Sequence, residues 1–122
     1  MNRVLIVEDN VDNMEVLEAF LEDDFELLKA INGKMGLEMA QSEQPDAILL
    51  DISLPIMDGL SVISKIREDV SIRETPVVAL TAHAMSGDRE RFLNAGFDEY
   101  VSKPIVDAEL FMSMIDGLIE AK

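Results

Sequence analysis

Glu8, Asp9, Asp51, Thr81 and Lys103 each stand where a short strand-like run ends, the runs being Val4–Val7, Ala47–Leu50, Val77–Leu80 and Asp98–Ser102. The continuous apolar run at 47–50 suits a strand buried on both faces. A carboxylate inside it would carry a large desolvation cost, so Asp51 belongs where the strand emerges. If the runs lie side by side and parallel, three acids, a hydroxyl and an ammonium converge at one edge of a sheet. Like charges about 4 Å apart repel by roughly 4 kcal/mol at an effective dielectric of about 20, so such acids need protonation or a cation between them. An all-oxygen donor set selects a hard ion, and one or two direct carboxylates with retained waters suit Mg²⁺, or Mn²⁺ in its place, better than a Ca²⁺ cage. Lys103 and Thr81 are donors, suited to phosphoryl oxygens rather than to a metal. Metal, carboxylate nucleophile, lysine and hydroxyl together describe phosphoryl transfer to Asp51, with catalysis mostly by positioning and charge neutralisation. The sequence has no glycine-rich phosphate cradle and no evident general base for a second substrate.

Positioning these groups takes five strands and five helices in strict alternation. The second strand is expected over Phe25–Ile31, the others at the runs named above. Asn10 or Asp12 caps a first helix with Met14, Val16, Leu17, Phe20 and Leu21 mostly on one face. Gly33–Ser42 reads as the second helix, stopped by Pro45, and Gly59–Arg67 as the third, with Leu60, Ile63 and Ile66 at three-residue spacing. A fourth spans about Ser86–Ala95, with Phe92 and Leu93 inside and Gly96 just past its end. A fifth starts near Asp107 and carries Leu110, Phe111, Met114, Ile115, Leu118 and Ile119. The alternation predicts an α/β fold with a parallel sheet covered on both faces. Right-handed crossovers then gather every strand-to-helix loop at one edge, where open α/β sheets bind ligands.

Smaller features carry expectations of their own. The joint at Asp23-Asp24 has no glycine, so aspartates with left-handed backbone are expected to make the turn. Asp58-Gly59 reads as a turn and helix start without chemistry of its own. The eight methionines are expected to fill the core, and Ile105, Val106 and Phe111 to be buried.

A chain of 122 residues, 48% hydrophobic, suits one domain over 1–122 with a real core. Without cysteine there is neither a disulfide framework nor a thiolate site. Twenty-five acids against ten bases give a net charge of −15, which repels nucleic acid and anionic membranes. No apolar run approaches a bilayer span, and Met1-Asn2-Arg3 leads straight into a strand with no room for a signal peptide, so a cytoplasmic protein without membrane insertion is expected.

The segments LIVEDN at 5–10, LLDISLPIMDG at 49–59, VVALTA at 77–82 and YVSKP at 100–104 resemble the receiver domain of bacterial two-component response regulators. The resemblance spans the whole chain and is nearest to DivK-like stand-alone receivers and the receivers of hybrid histidine kinases. It implies a flavodoxin-like fold of five strand-helix units with strand order 2-1-3-4-5, the order of the receiver CheY. By resemblance Asp51 is the phosphoacceptor, Asp9 a direct metal ligand, Glu8 a ligand acting largely through metal-bound water, and the Ser53 backbone carbonyl another ligand. Lys103 pairs with the phosphoryl group, Thr81 bonds it, Tyr100 swings inward as Thr81 moves, and the Lys103-Pro104 peptide is cis. His83 reads first as a surface histidine on a loop, the alternative being that it sits, as in receivers, where water access to the acyl phosphate is controlled. The implied partners are a sensor histidine kinase or histidine phosphotransfer protein and a downstream target on the face formed by the fourth helix, fifth strand and fifth helix. The implied activity is signalling through self-catalysed phosphorylation and dephosphorylation, not enzymatic turnover of a substrate.

Two other classes fit less well. A phosphatase of the haloacid dehalogenase type expects an acid two residues after the nucleophile, where Ser53 stands. A flavodoxin-like nucleotide or flavin binder expects a Ser/Thr/Gly-rich loop after the first strand, where Glu8 and Asp9 would repel phosphate.

Overall fold

The computed structural model describes residues 1–82 and 85–121. Strands β1 (Arg3–Val7), β2 (Glu26–Ala30), β3 (Ala47–Asp51), β4 (Val77–Thr81) and β5 (Glu99–Ser102) alternate with helices α1 (Val11–Leu21), α2 (Gly33–Glu43), α3 (Gly59–Glu68), α4 (Asp88–Ala95) and α5 (Ala108–Glu120). All neighbouring strands pair in parallel in the order β2-β1-β3-β4-β5. This is the flavodoxin-like arrangement that the receiver resemblance implies.

The period-two pleat sorts the apolar runs onto two faces. Leu5, Val7, Ile48, Leu50, Val77 and Ala79 pack on one side with Ala40 of α2, Val62, Ile63 and Ile66 of α3, and Phe92 of α4. Val4, Ile6, Ala47, Leu49, Val78 and Leu80 pack on the other with Met14, Leu17 and Leu21 of α1 and Phe111 and Ile115 of α5. Every residue of β3 and β4 is buried, which is why these strands read as unbroken apolar runs rather than alternating ones.

Four helices are capped by side chains that accept from a backbone N–H three residues on: Asn10 from Asn13, Asn32 from Met35, Asp58 from Ser61 and Asp107 from Leu110. Each such cap contributes about 1 kcal/mol. Asn10, not Asp12, is therefore the first cap. Gly96 closes α4 with φ +116°, as its place in the sequence suggests.

The structure departs from expectation at several points. The Asp23-Asp24 turn is not left-handed: Glu22 stays right-handed, and the Asp24 and Phe25 N–H groups both donate to the Leu21 carbonyl, at 3.1 and 3.0 Å. Left-handed backbone among described non-glycine residues occurs at Gln44 and Ile56 instead. Of the methionines expected to fill the core, Met14 is buried and Met39, Met57, Met112 and Met114 pack against the core partly buried, but Met1, Met35 and Met85 are exposed. Leu93 is exposed because Phe92 alone on that turn of α4 faces the sheet, the next residue lying about 100° round the helix. Phe111 is buried and Ile105 partly so, but Val106 stands in solvent beyond the end of β5.

At the edge opposite the acids, Arg67 of α3 braces four segments. Its Nε donates to the Gly96 carbonyl at 2.8 Å, its Nη1 to the carbonyls of Arg73 and Thr75 at 2.8 and 2.7 Å, and its Nη2 to Asp98 Oδ2 at 2.9 Å. The same Asp98 oxygen accepts from the Val77 N–H at 2.8 Å, so the starts of β4 and β5 share one carboxylate. Arg67→Met keeps the stem and removes these donors. It is expected to lower unfolding free energy by about 2–4 kcal/mol, read from denaturant melts.

Candidate active site

Parallel register brings the strand ends level. Val7 pairs with Leu50, Asp51 with Leu80 and Thr81 with Ser102, so Glu8, Asp51, Thr81 and Lys103 leave adjacent strands at the same height. One carboxylate oxygen from each of Glu8, Asp9 and Asp51 lies within 4.8 Å of the other two. Glu8 and Asp51 are only 1% and 4% exposed, whereas Asp9 faces solvent.

Lys103 reaches into this cluster from β5. Its Nζ donates to Glu8 Oε1 at 2.9 Å and to Asp51 Oδ2 at 3.2 Å. Its backbone N–H donates to the Thr81 carbonyl at 2.7 Å, and the Lys103-Pro104 peptide is cis. Both buried acids also use a second oxygen, Asp51 Oδ1 accepting from the Ser53 N–H at 3.1 Å and Glu8 Oε2 from the Asn10 N–H at 3.3 Å. Thr81 is buried beside them at the end of β4. Tyr100 is not part of the cluster: it is half-buried, with its ring centroid 5.8 Å from that of Phe92 on α4. His83 lies outside the described residues.

Two features of the site escaped the sequence reading. The first is that Lys103 itself bridges Glu8 and Asp51, so an ammonium of the chain already relieves part of the acid repulsion. The second is Gly59, which in the sequence reads only as a helix start. Its N–H donates to the Ile52 carbonyl at 3.0 Å, and a Cβ there would sit 2.6 Å from the Asp51 carbonyl oxygen and 2.8 Å from Ile52 Cα. The glycine lets the start of α3 press against the backbone that carries Asp51. In the sequence only its distance from Asp51 hinted at this.

Burial of Lys103 works to lower its pKa, but the hydrogen bond to Glu8 and the charges of Asp51 and Glu8 outweigh it and hold the ammonium above the ordinary lysine value of 10.5. A pKa raised in the folded state stabilises fully below the unfolded value and fades as pH climbs through the folded one.

The donor chemistry fits a hard divalent cation. Three carboxylates, one of them open to solvent, offer oxygen ligands and room for retained waters, with no sulfur or imidazole among the three.

Comparison with known proteins decides the family. Residues 4–115 match the family described as the response regulator receiver domain. The chain belongs to the response regulator receiver family. The polar-differentiation response regulator DivK of Brucella anthropi is 43% identical over 103 residues, 84% of each protein, and that of Brucella ovis 42% over the same length. Among solved structures, the receiver domain of a sensor histidine kinase from Pseudomonas aeruginosa, with a magnesium ion coordinated in its active-site cleft, superposes with a TM-score of 0.89 at 35% identity and covers 98% of both chains. The receiver of a Syntrophus aciditrophicus histidine kinase gives 0.88 at 27% identity, covering 99% of this chain and 92% of its own. Membership places this receiver in two-component signal transduction. No helix among the described residues is long and apolar enough to cross a membrane.

Two outcomes test this site. Gly59→Ala is expected to lower stability by about 1–3 kcal/mol in thermal or urea melts, because backbone must yield to the new methyl. Urea melts at rising pH are expected to show the wild-type chain losing stability above about pH 10.5. Lys103→Met should be less stable at neutral pH and show a smaller alkaline decline.

Proposed function

We propose that this receiver works as a single-domain response regulator, over 1–122, whose Asp51 accepts a phosphoryl group from a sensor histidine kinase or histidine phosphotransfer protein in a Mg²⁺-dependent reaction. The observation that carries this reading is the Lys103 ammonium within hydrogen-bond reach of both Glu8 and Asp51 at the rim of the sheet. A buried carboxylate flanked by further acids and one fixed cation is poor at structural stabilisation and well placed to take up a phosphoryl group with a metal.

In the transfer an Asp51 carboxylate oxygen forms the new O–P bond while the donor's N–P bond breaks, its electron pair returning to the histidine nitrogen. Lys103 stabilises the phosphoryl oxygens, and the Thr81 hydroxyl donates to them. Asp9, Asp51, the Ser53 backbone carbonyl and, through water, Glu8 would hold the Mg²⁺. When bound, the ion supplies charge neutralisation at the incoming phosphoryl group. Attack of water on phosphorus later regenerates the carboxylate and releases phosphate, so the chain catalyses its own resetting and turns over no other substrate.

The phosphorylated side chain carries added charge and strong acceptors beside Lys103 and Thr81. Because the Lys103 N–H is bonded to the Thr81 carbonyl, a pull on either is felt at both strand ends. Tyr100, in tilted contact with Phe92, links β5 to α4, and its reorientation carries the change to a downstream protein on the α4-β5-α5 face. The negative charge of the chain argues against direct nucleic-acid contact. A cytoplasmic location follows from the partners.

Incubation with acetyl phosphate and Mg²⁺ is expected to add one phosphoryl group, visible by intact mass, and Asp51→Asn or a chelator to abolish it. Undiminished labelling of the variant would remove Asp51 from the acceptor role. Millimolar Mg²⁺ alone should raise the melting temperature of the wild-type chain, and Asp9→Ala should suppress that shift.

A further inference from the structure

At or beside each strand-to-helix connection of the rim that carries Asp51, a large apolar residue is exposed: Val11, the first residue of α1, is 70% exposed, Ile31 61%, Ile56 77%, Met85 73% and Val106 91%. Single exposed apolar residues are ordinary on protein surfaces. Ile56 is not ordinary, because its backbone is left-handed, with φ +71°. A β-branched residue strongly disfavours that region, which glycine or asparagine occupies with little strain. Its side chain is too exposed to contribute much core packing. A strained backbone bearing a solvent-facing apolar group, five residues after Asp51, needs a reason outside the fold.

The enclosure of Asp51 supplies one. Its side chain is only 6% exposed, so a phosphoryl group borne on another protein's histidine reaches it only if the donor's surface presses on the loops around the rim. We propose that Ile56 is a specificity-determining residue for the phosphodonor, the apolar contact of the β3–α3 connection within a rim completed by Val11, Ile31, Met85 and Val106. The occupant is a protein carrying phosphohistidine within an apolar patch. The net charge of −15 requires the surround of that patch to be neutral or basic. This inference rests on the reading of Asp51 as acceptor, and it adds that the donor pays attention to a residue with no part in the chemistry.

The test uses the full chain and, as probe, the phosphohistidine protein that loads wild type fastest in a transfer panel, with acetyl phosphate as the small donor. Ile56→Asn tolerates the left-handed backbone and removes the apolar contact, while Ile56→Val keeps the contact. The expected result is that Ile56→Asn melts no lower than wild type but raises KM for the protein donor about tenfold, as loss of a buried aliphatic contact would. The ratio of protein-donor to acetyl-phosphate labelling should fall accordingly, and Ile56→Val should restore it. An unchanged KM, or a marked loss of stability in Ile56→Asn, overturns the inference. So does a dimer of the wild-type chain that Ile56→Asn dissolves, which would assign the residue to self-association. If acetyl phosphate fails to label the wild-type chain at all, it is the acceptor reading that fails, not the docking role alone.

Discussion

Two carboxylates, Glu8 and Asp51, are almost fully removed from water and face one ammonium, that of Lys103. Removing charges from water costs several kcal/mol per ion, and a pair recovers this only with good geometry and further hydrogen bonds. Here both acids have those bonds, from Lys103 and from the backbone N–H groups of Ser53 and Asn10. The set still has an excess of negative charge, since Asp9 adds a third acid and no second cation of the chain is bonded to the cluster among the described residues. An acidic pocket that is satisfied in its hydrogen bonds but not neutral is electrostatically suited to a cation.

The rest of the fold keeps those strand ends level. Parallel register sets the heights of Glu8, Asp51, Thr81 and Lys103, and the doubly buried β3 and β4 hold that register because a slip by one residue would turn apolar side chains to the wrong face. Gly59 allows the start of α3 to close against the backbone around Asp51. At the far edge Arg67 and Asp98 tie the starts of β4 and β5 to α3 and the end of α4. One end of the sheet is thus braced by a hydrogen-bond network, and the other carries charges whose balance is open to change.

Much of this was legible in the residues. The alternation of apolar runs with helical stripes yielded all ten elements, most within a residue or two, because burial on both faces leaves a signal that local propensity cannot blur. The convergence of Glu8, Asp9, Asp51, Thr81 and Lys103 followed from parallel topology alone. What could not be read were contacts set by three-dimensional closeness: the Arg67 brace spans residues 67 to 98, and the Lys103–Glu8 bond joins positions 95 apart. Exposure also misled where an apolar residue lay outside an element, as at Val106, or on the far side of a short helix, as at Leu93. The left-handed backbone at Ile56 had no sequence signal, since isoleucine is among the residues least suited to it.

If Asp51 accepts a phosphoryl group as proposed, the position of Lys103 gives the resulting switch its physical content. In the structure its ammonium is shared between Glu8 and Asp51, so any new charge on Asp51 competes with Glu8 for the same three protons. A metal ion held by the acids would compete from the other side, weakening the hold of Glu8 on the lysine. Under the proposed function both changes would release Lys103 from Glu8 and turn it toward the group on Asp51, and the 2.7 Å bond from its backbone to Thr81 would keep that movement from being local. Contiguity by itself does not transmit a signal; an element with two arrangements must lie along the way. The tilted Tyr100–Phe92 contact is the natural one, because Tyr100 is only half-buried and belongs to the strand that ends at Lys103, while Phe92 anchors α4 in the core. An aromatic with core on one side and solvent on the other has somewhere to go, which a fully enclosed ring would not.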